Sequence, residues 1–312
     1  VAEAAARIAD AVIRTPLVSS ERLNMEVGAE LVLKAETLQR TGSFKIRGAT
    51  NAIRSLGGSP DRPAGVVAFS SGNHAQAVAS AAREAAIPAT ILMPEDAPQE
   101  KLDATRRYGA DIVTFDRYTE DREERAAMLA QELGFIQVPP YDDTDVIAGQ
   151  GTVALELFQE AGPLDALLVP VGGGGLIAGS GVVAEELSRG CRVIGAEPTA
   201  SGDTRRSLAT GNLVREAAGP TIADGQQAPQ GRLTFALMRR RVEQAVLVTD
   251  EEIAAAMRLL FDAVKLVTEP SGACALAAAR RHVDALGLHG SRVGVVLSGS
   301  NVALERFAAI AG

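Results

Sequence analysis

The 312-residue chain contains no tryptophan, only three histidines and two cysteines, and its aromatic content is 4%. Two cysteines, Cys191 and Cys274, cannot build a disulfide framework, so buried free thiols in a reducing, cytoplasmic compartment are expected. Long apolar runs are also missing. Stretches such as "ALLVPVGGGGLIAG" are broken by proline and glycine before reaching the roughly 18 residues of a bilayer span, which argues against a membrane partner. The opening stretch, with Glu3, Arg7 and Asp10, does not read as a signal peptide. An excess of basic residues is absent too: the net charge is −8, and the one basic run, Arg239 to Arg241, is followed by Glu243 and reads as a solvated face. No nucleic-acid partner is expected, since phosphate binding needs clustered cations. What is present, 46% hydrophobic and 22% charged residues, describes a globular chain long enough for a sizeable core.

Short apolar runs alternate with alanine-rich helical segments: "GVVAFSS" then "HAQAVASAAREA", "ATILMP" then "PQEKLDATRRYG", "DALLVPV" then "LIAGSGVVAEELSRG". This is the βαβ pattern of a mostly parallel sheet covered by helices, so the fold class is α/β. A helix start is marked at "TDEEI", with Thr249 or Asp250 as its cap. The strand exits carry "SSGNHA", "GGGGL", "GAEPTASGD" and "SGSN", and ligands of open α/β sheets gather at such exits. Residues 65–141 read as a smaller mobile domain inserted between 1–64 and 142–312, with "VPPYDDTDV" as the hinge.

Gly173, Gly175 and Ala178 satisfy G-x-G-x-x-A between a strand and a helix, with Glu197 about twenty residues on, which is formally a dinucleotide fingerprint. The same glycines offer backbone N–H groups to a single phosphate, or make a tight turn and nothing more. Lys45, in "TGSFKIRGA", stands at a predicted helix start, where desolvation and the positive helix end both favour a neutral amine. A neutral lysine together with a phosphate cradle points to pyridoxal 5′-phosphate, an aldehyde that condenses with an amine.

The motifs "KAETLQRTGSFKIRGA", "SSGNHAQAVA", "VIAGQGTVALE", "VGGGGLIAG", "GAEP", "TIADG", "TEPSGA" and "LSGSN", in this order, resemble the serine/threonine dehydratase and serine racemase branch of the fold-type II pyridoxal-phosphate enzymes. The resemblance implies a tryptophan synthase β-like fold of two open, mostly parallel sheets. It makes Lys45 the Schiff-base lysine and then the base that removes the Cα proton, with Phe44 beside the ring. It assigns the phosphate to Gly172, Gly173, Gly174 and Gly175, the ring hydroxyl to Asn73 and the pyridine nitrogen to Ser298, with Glu269 close to the ring. The substrate carboxylate goes to the loop of Ser70, Ser71, Gly72, Asn73 and His74, and Ser71 matches the second acid–base group of the racemases. Glu197, Asp203 and the carbonyl of Ser201 correspond to a divalent-cation site for Mg²⁺ or Ca²⁺, for which a polar turn is the plain alternative. A homodimer or homotetramer is implied.

Two departures stand out. "LSGSN" carries Ser300 where the family has glycine, which is expected to add a side chain near the cofactor edge. The hinge "PPYDD" carries Tyr141, as in catabolic threonine dehydratases, whereas mammalian-type racemases have asparagine. Elimination from L-threonine or L-serine is therefore the leading expectation. Racemisation of serine or aspartate, dehydration of 3-hydroxyaspartate or of an ectoine-pathway hydroxyamino acid, and a NAD-dependent oxidoreductase remain alternatives. The end of the chain soon after "LSGSN" leads to the expectation that no regulatory domain follows.

Overall fold

The structure is a computed structural model and describes residues 1–57, 63–70, 72–97, 99–216 and 218–312. Its strands are β1 (Leu17–Val18), β2 (Glu30–Ala35), β3 (Val66–Phe69), β4 (Ala89–Pro94), β5 (Asp111–Phe115), β6 (Ile136–Gln137), β7 (Ala166–Pro170), β8 (Arg192–Pro198), β9 (Gln244–Val248) and β10 (Arg292–Leu297). They form two sheets, one ordered β1-β2-β10-β7-β8-β9 and one ordered β5-β4-β3-β6. Every pairing is parallel except that of β1 with β2.

Both sheets are apolar on both faces, as parallel sheets buried under helices must be. In the larger one Leu31 and Leu33 point into one core cluster, and the intervening Val32 points into another. In the smaller one Val66 and Ala68 share a cluster, while Val67 and Phe69 face the opposite side. The Lys45–Leu56 helix sends Ile46, Ala49 and Ile53 into the core of the four-stranded sheet, beside Ala75 and Val78. The segment that bears the lysine is thus packed against the smaller sheet while it grows out of β2 of the larger one.

Parallel pairing brings strand exits to one end. β10 lies between β2 and β7, so the segments after Ala35, Pro170 and Leu297 emerge side by side. The helix starting at Asp250 is closed by a capping box in which Thr249 accepts from Glu252 N and the Glu252 side chain accepts from Thr249 N. No helix among the described residues is long and apolar enough to cross a membrane.

Candidate active site

After β2 the chain turns through Thr41 and Gly42, whose φ values are +61° and +75°. A left-handed non-glycine residue costs about 1–2 kcal/mol, and the surroundings hold it there. Asn301 Nδ2 donates to Thr41 O (2.7 Å), Phe44 N donates to Ser298 O (3.0 Å), and Ser43 bridges Gly299. The helix then begins at Lys45. Its amine donates to Pro140 O (2.7 Å) and lies 5.3 Å from the centre of the Phe44 ring. Burial of the amine lowers its pKa from the usual 10.5 to about 8, against a smaller opposing pull from Glu269. Much of the amine is therefore neutral at mildly alkaline pH.

Two residues further on, Arg47 is fully buried and holds this helix to its neighbours. It donates to both Glu36 oxygens (2.8 Å each) and to both Glu156 oxygens (2.7 and 2.8 Å), and Lys34 completes the cluster through Glu156 (2.7 Å). Two cations and two carboxylates cancel in charge, and removing one partner from such a cluster costs about 3–5 kcal/mol.

β7 leads through Gly172–Gly174 into the Gly175–Leu187 helix. Side chains do not fit here: a Cβ on Gly173 would lie 2.3 Å from the Tyr141 ring, and one on Gly174, at φ +94°, 2.8 Å from Met238 Cε. Thr234 Oγ1 donates to Gly173 O (2.8 Å) and fixes the turn. Among the described residues no protein acceptor is found for the N–H groups of Gly172, Gly173 and Gly174. Free N–H groups before a helix N-terminus are the donor set that a phosphate requires.

The remaining wall is a chain of polar groups. Asn301 Nδ2 donates to Asn73 Oδ1 (2.7 Å), and Asn73 Nδ2 donates to Glu269 Oε1 (2.6 Å). Burial, reinforced by the charge of Asp224, pushes Glu269 up to about 8, so near neutral pH it is largely protonated. His74 Nε2 lies 2.9 Å from Val138 O and carries the proton that this carbonyl accepts. Burial and the nearby Lys45 charge push His74 down to about 3, leaving a neutral ring.

These groups surround one cavity of about 770 Å³, lined by Phe44, Lys45, Ser70, Gly72, Asn73, His74, the four glycines from Gly172 to Gly175, Glu269 and Ser298. Ser71 lies outside the described residues. Glu197, Ser201 and Asp203 stand apart from the cavity, at the end of β8 and just after it. Glu197 is fully buried and accepts from Thr204 N (3.1 Å) and Arg205 N (2.9 Å). Buried and not lining the cavity, it does not stand where the dinucleotide alternative needs a ribose acceptor. Burial raises the pKa of both Glu197 and Asp203, and the charge of Asp203 adds to the effect on Glu197. Ser201 Oγ donates to Gln226 O (3.1 Å). Among the described residues there is no group of three or more His, Cys, Asp or Glu side chains that could hold a metal. Ser300, expected at the cofactor edge, instead turns from the cavity and donates to Thr37 O (2.8 Å).

Other contributors had no role assigned from the sequence. Pro140 holds the amine through its carbonyl, and Asp142 accepts from Arg232 N, Leu233 N and Thr234 N at 2.9–3.0 Å, capping a helix 90 residues later. Arg122 also lines the cavity.

Free N–H groups aligned as a phosphate cradle, a lysine of lowered pKa and a neutral polar wall fit pyridoxal phosphate. Comparison with known proteins agrees. The family described as pyridoxal-phosphate dependent enzyme matches residues 8–299. An L-threo-3-hydroxyaspartate ammonia-lyase of Saccharomyces cerevisiae is 47% identical over 99% of this chain and 94% of its own. A serine racemase of Schizosaccharomyces pombe is 43% identical over 99% of this chain and 95% of its own. The crystal structure of a T.th. threonine deaminase superposes with a TM-score of 0.89 at 42% identity, covering 97% of each chain. The chain belongs to the fold-type II pyridoxal-phosphate dependent enzymes, in the group of ammonia-lyases and racemases.

Proposed function

We propose that this chain is an ammonia-lyase acting on a β-hydroxy amino acid that carries a second carboxylate, of which L-threo-3-hydroxyaspartate is the simplest. The supporting observation is Arg122. It lines the cavity, stacks over the Phe69 ring at 5.6 Å, and has no carboxylate within ion-pair distance among the described residues. Apart from Lys45, whose amine is held by Pro140 O, the other cavity cations differ: Lys101 (2.8 Å) and Arg306 (3.6 Å) pair with Asp224, and Arg117 with Asp96 (2.6 Å). A guanidinium left over beside a substrate cavity suits a carboxylate. The ammonia-lyase relative at 47% identity supports the same substrate class.

In this reading pyridoxal phosphate, when bound, supplies the electron sink that acidifies the substrate Cα. Gly172–Gly175 would hold its phosphate, Ser298 would serve its ring nitrogen, and Asn73 and Glu269 would lie beside the ring. Neutral Lys45 accepts the Cα proton. The β-hydroxyl leaves as water with the proton that Lys45 took from Cα, and the freed enamine takes up water to give a 2-oxo acid and ammonia. A serine hydroxyl, unlike a carboxylate, cannot hold the ring nitrogen protonated, which favours prompt loss of the β-group. The Ser70–His74 loop, at the N-terminus of the Asn73–Glu84 helix, holds the α-carboxylate. The segment around residues 65–141 would move as a unit to admit substrate. Glu197 and Asp203, two neighbouring buried carboxylates of raised pKa, would hold a divalent cation with the Ser201 carbonyl.

A second reading, elimination from L-threonine or L-serine, is supported by Tyr141 and by the threonine deaminase at 42% identity. A substrate panel separates the two, with 2-oxo acid and D-amino acid both measured. The dicarboxylate reading expects Arg122→Leu to lower kcat/KM for 3-hydroxyaspartate by about 100-fold, the size of a lost charge-assisted pair, and to leave serine within a few-fold. Equal losses on both substrates, or D-serine as the main product, would sink it.

A further inference from the structure

We propose that Ser300 is a positioning residue for Lys45, clamping the loop through which the chain enters the lysine helix; the proposal rests on the reading of Lys45 as the reacting amine. Ser300 uses both of its donors on this one loop. Its backbone N–H donates to Gly42 O (2.8 Å), three residues before Lys45, and its hydroxyl donates to Thr37 O (2.8 Å) at the loop's other end. The loop between them contains the two left-handed residues Thr41 and Gly42, a conformation with little intrinsic preference to persist when one is threonine. Ser300 does not line the cavity, so its effect on the chemistry passes through the backbone that carries the lysine.

The turn that supplies this clamp is shared. Ser298 O accepts from Phe44 N, Gly299 O accepts from Glu269 N (3.1 Å), and Asn301 ties Thr41 to Asn73. One tetrapeptide therefore fixes the lysine's approach, Glu269 and Ser298 relative to one another. A glycine at 300 would keep the backbone bond to Gly42 and lose the hydroxyl bond to Thr37. Only one half of the clamp would remain, and Thr37 O would be left without its hydroxyl donor.

The test compares the holoenzyme with its Ser300→Gly, Ser300→Ala and Ser300→Thr variants. Amide hydrogen exchange across residues 37–44 is expected to quicken about five- to tenfold in the glycine and alanine variants, the size of one lost hydrogen bond. The Arg232–Arg241 helix, distant in sequence, should exchange as in the parent. In the same variants kcat should fall several-fold with KM within about twofold, since the lysine is misplaced and the substrate contacts are not. Retention of the hydroxyl in Ser300→Thr should restore both. Unchanged exchange in residues 37–44 overturns the clamp. Faster exchange with parental kcat overturns its bearing on Lys45, and faster exchange everywhere overturns its local character. A parent enzyme with no turnover on any amino acid would sink the lyase reading instead, and the exchange comparison would still decide the clamp.

Discussion

Burial brings the pKa of Lys45 down to about 8, against an opposing pull from Glu269, which changes what pH should do. A cation whose folded pKa is about 8 is mostly protonated below that value and mostly free amine above it. Capture of pyridoxal phosphate by cofactor-stripped protein needs the free amine. Its rate is expected to rise with pH through about 8 and then level off, instead of climbing toward 10.5 as for an ordinary lysine. Stopped-flow absorbance of cofactor uptake measures this, and Lys45→Ala should abolish the phase. Glu269, pushed up to about 8, ionises over the same range and then partly opposes the effect, so Glu269→Gln should shift the midpoint downward. His74, by contrast, stays neutral throughout, because its pKa is held near 3.

Among the elements, the segment after β6 carries more than a change of direction. Asp142 satisfies three N–H groups at the start of the Arg232–Arg241 helix, and Thr234 of that first turn in turn holds Gly173. Asp142→Ala should cost about 1–2 kcal/mol in denaturant unfolding and weaken cofactor retention in dialysis, whereas Asp142→Asn, whose one amide oxygen keeps the bonds to Leu233 N and Thr234 N and loses that to Arg232 N, should cost less on both counts. The strands, the glycine turn and the lysine were legible because each has a local signature: alternating apolar runs, four glycines after a strand, a lysine among small residues. Pro140, Asp142 and Asn301 were not, because they act through partners between 90 and 260 residues away. Ser300 was legible as a departure, but its direction was misjudged, since no sequence pattern tells whether a turn side chain faces the cavity or the loop behind it. Arg122 shows the same limit: "DREER" reads as a charged helix start, and only the packed molecule turns one of its cations toward the cavity.

For the whole molecule, the parts built on the two sheets are joined by ion pairs such as Lys101 with Asp224 (2.8 Å), Arg40 with Glu84 (3.5 Å) and Arg215 with Glu123 (3.6 Å). These partly exposed pairs each contribute little. Glu197 and Asp203 are buried at the edge of the larger core, where an added charge matters more. If they hold a divalent cation as proposed, millimolar Mg²⁺ or Ca²⁺ should raise the thermal midpoint, a chelator should reverse the rise, and Glu197→Gln should lose the response. The cap supplied by Asp142 also has a consequence in time. The helix it completes begins 90 residues later, and the contact can form only after β7 and β8 of the larger sheet have been laid down between them. Contacts closing such long loops come late in folding. The glycine turn is therefore expected to settle among the last parts of the chain, and a newly made polypeptide should gain its secondary structure well before it can retain a cofactor.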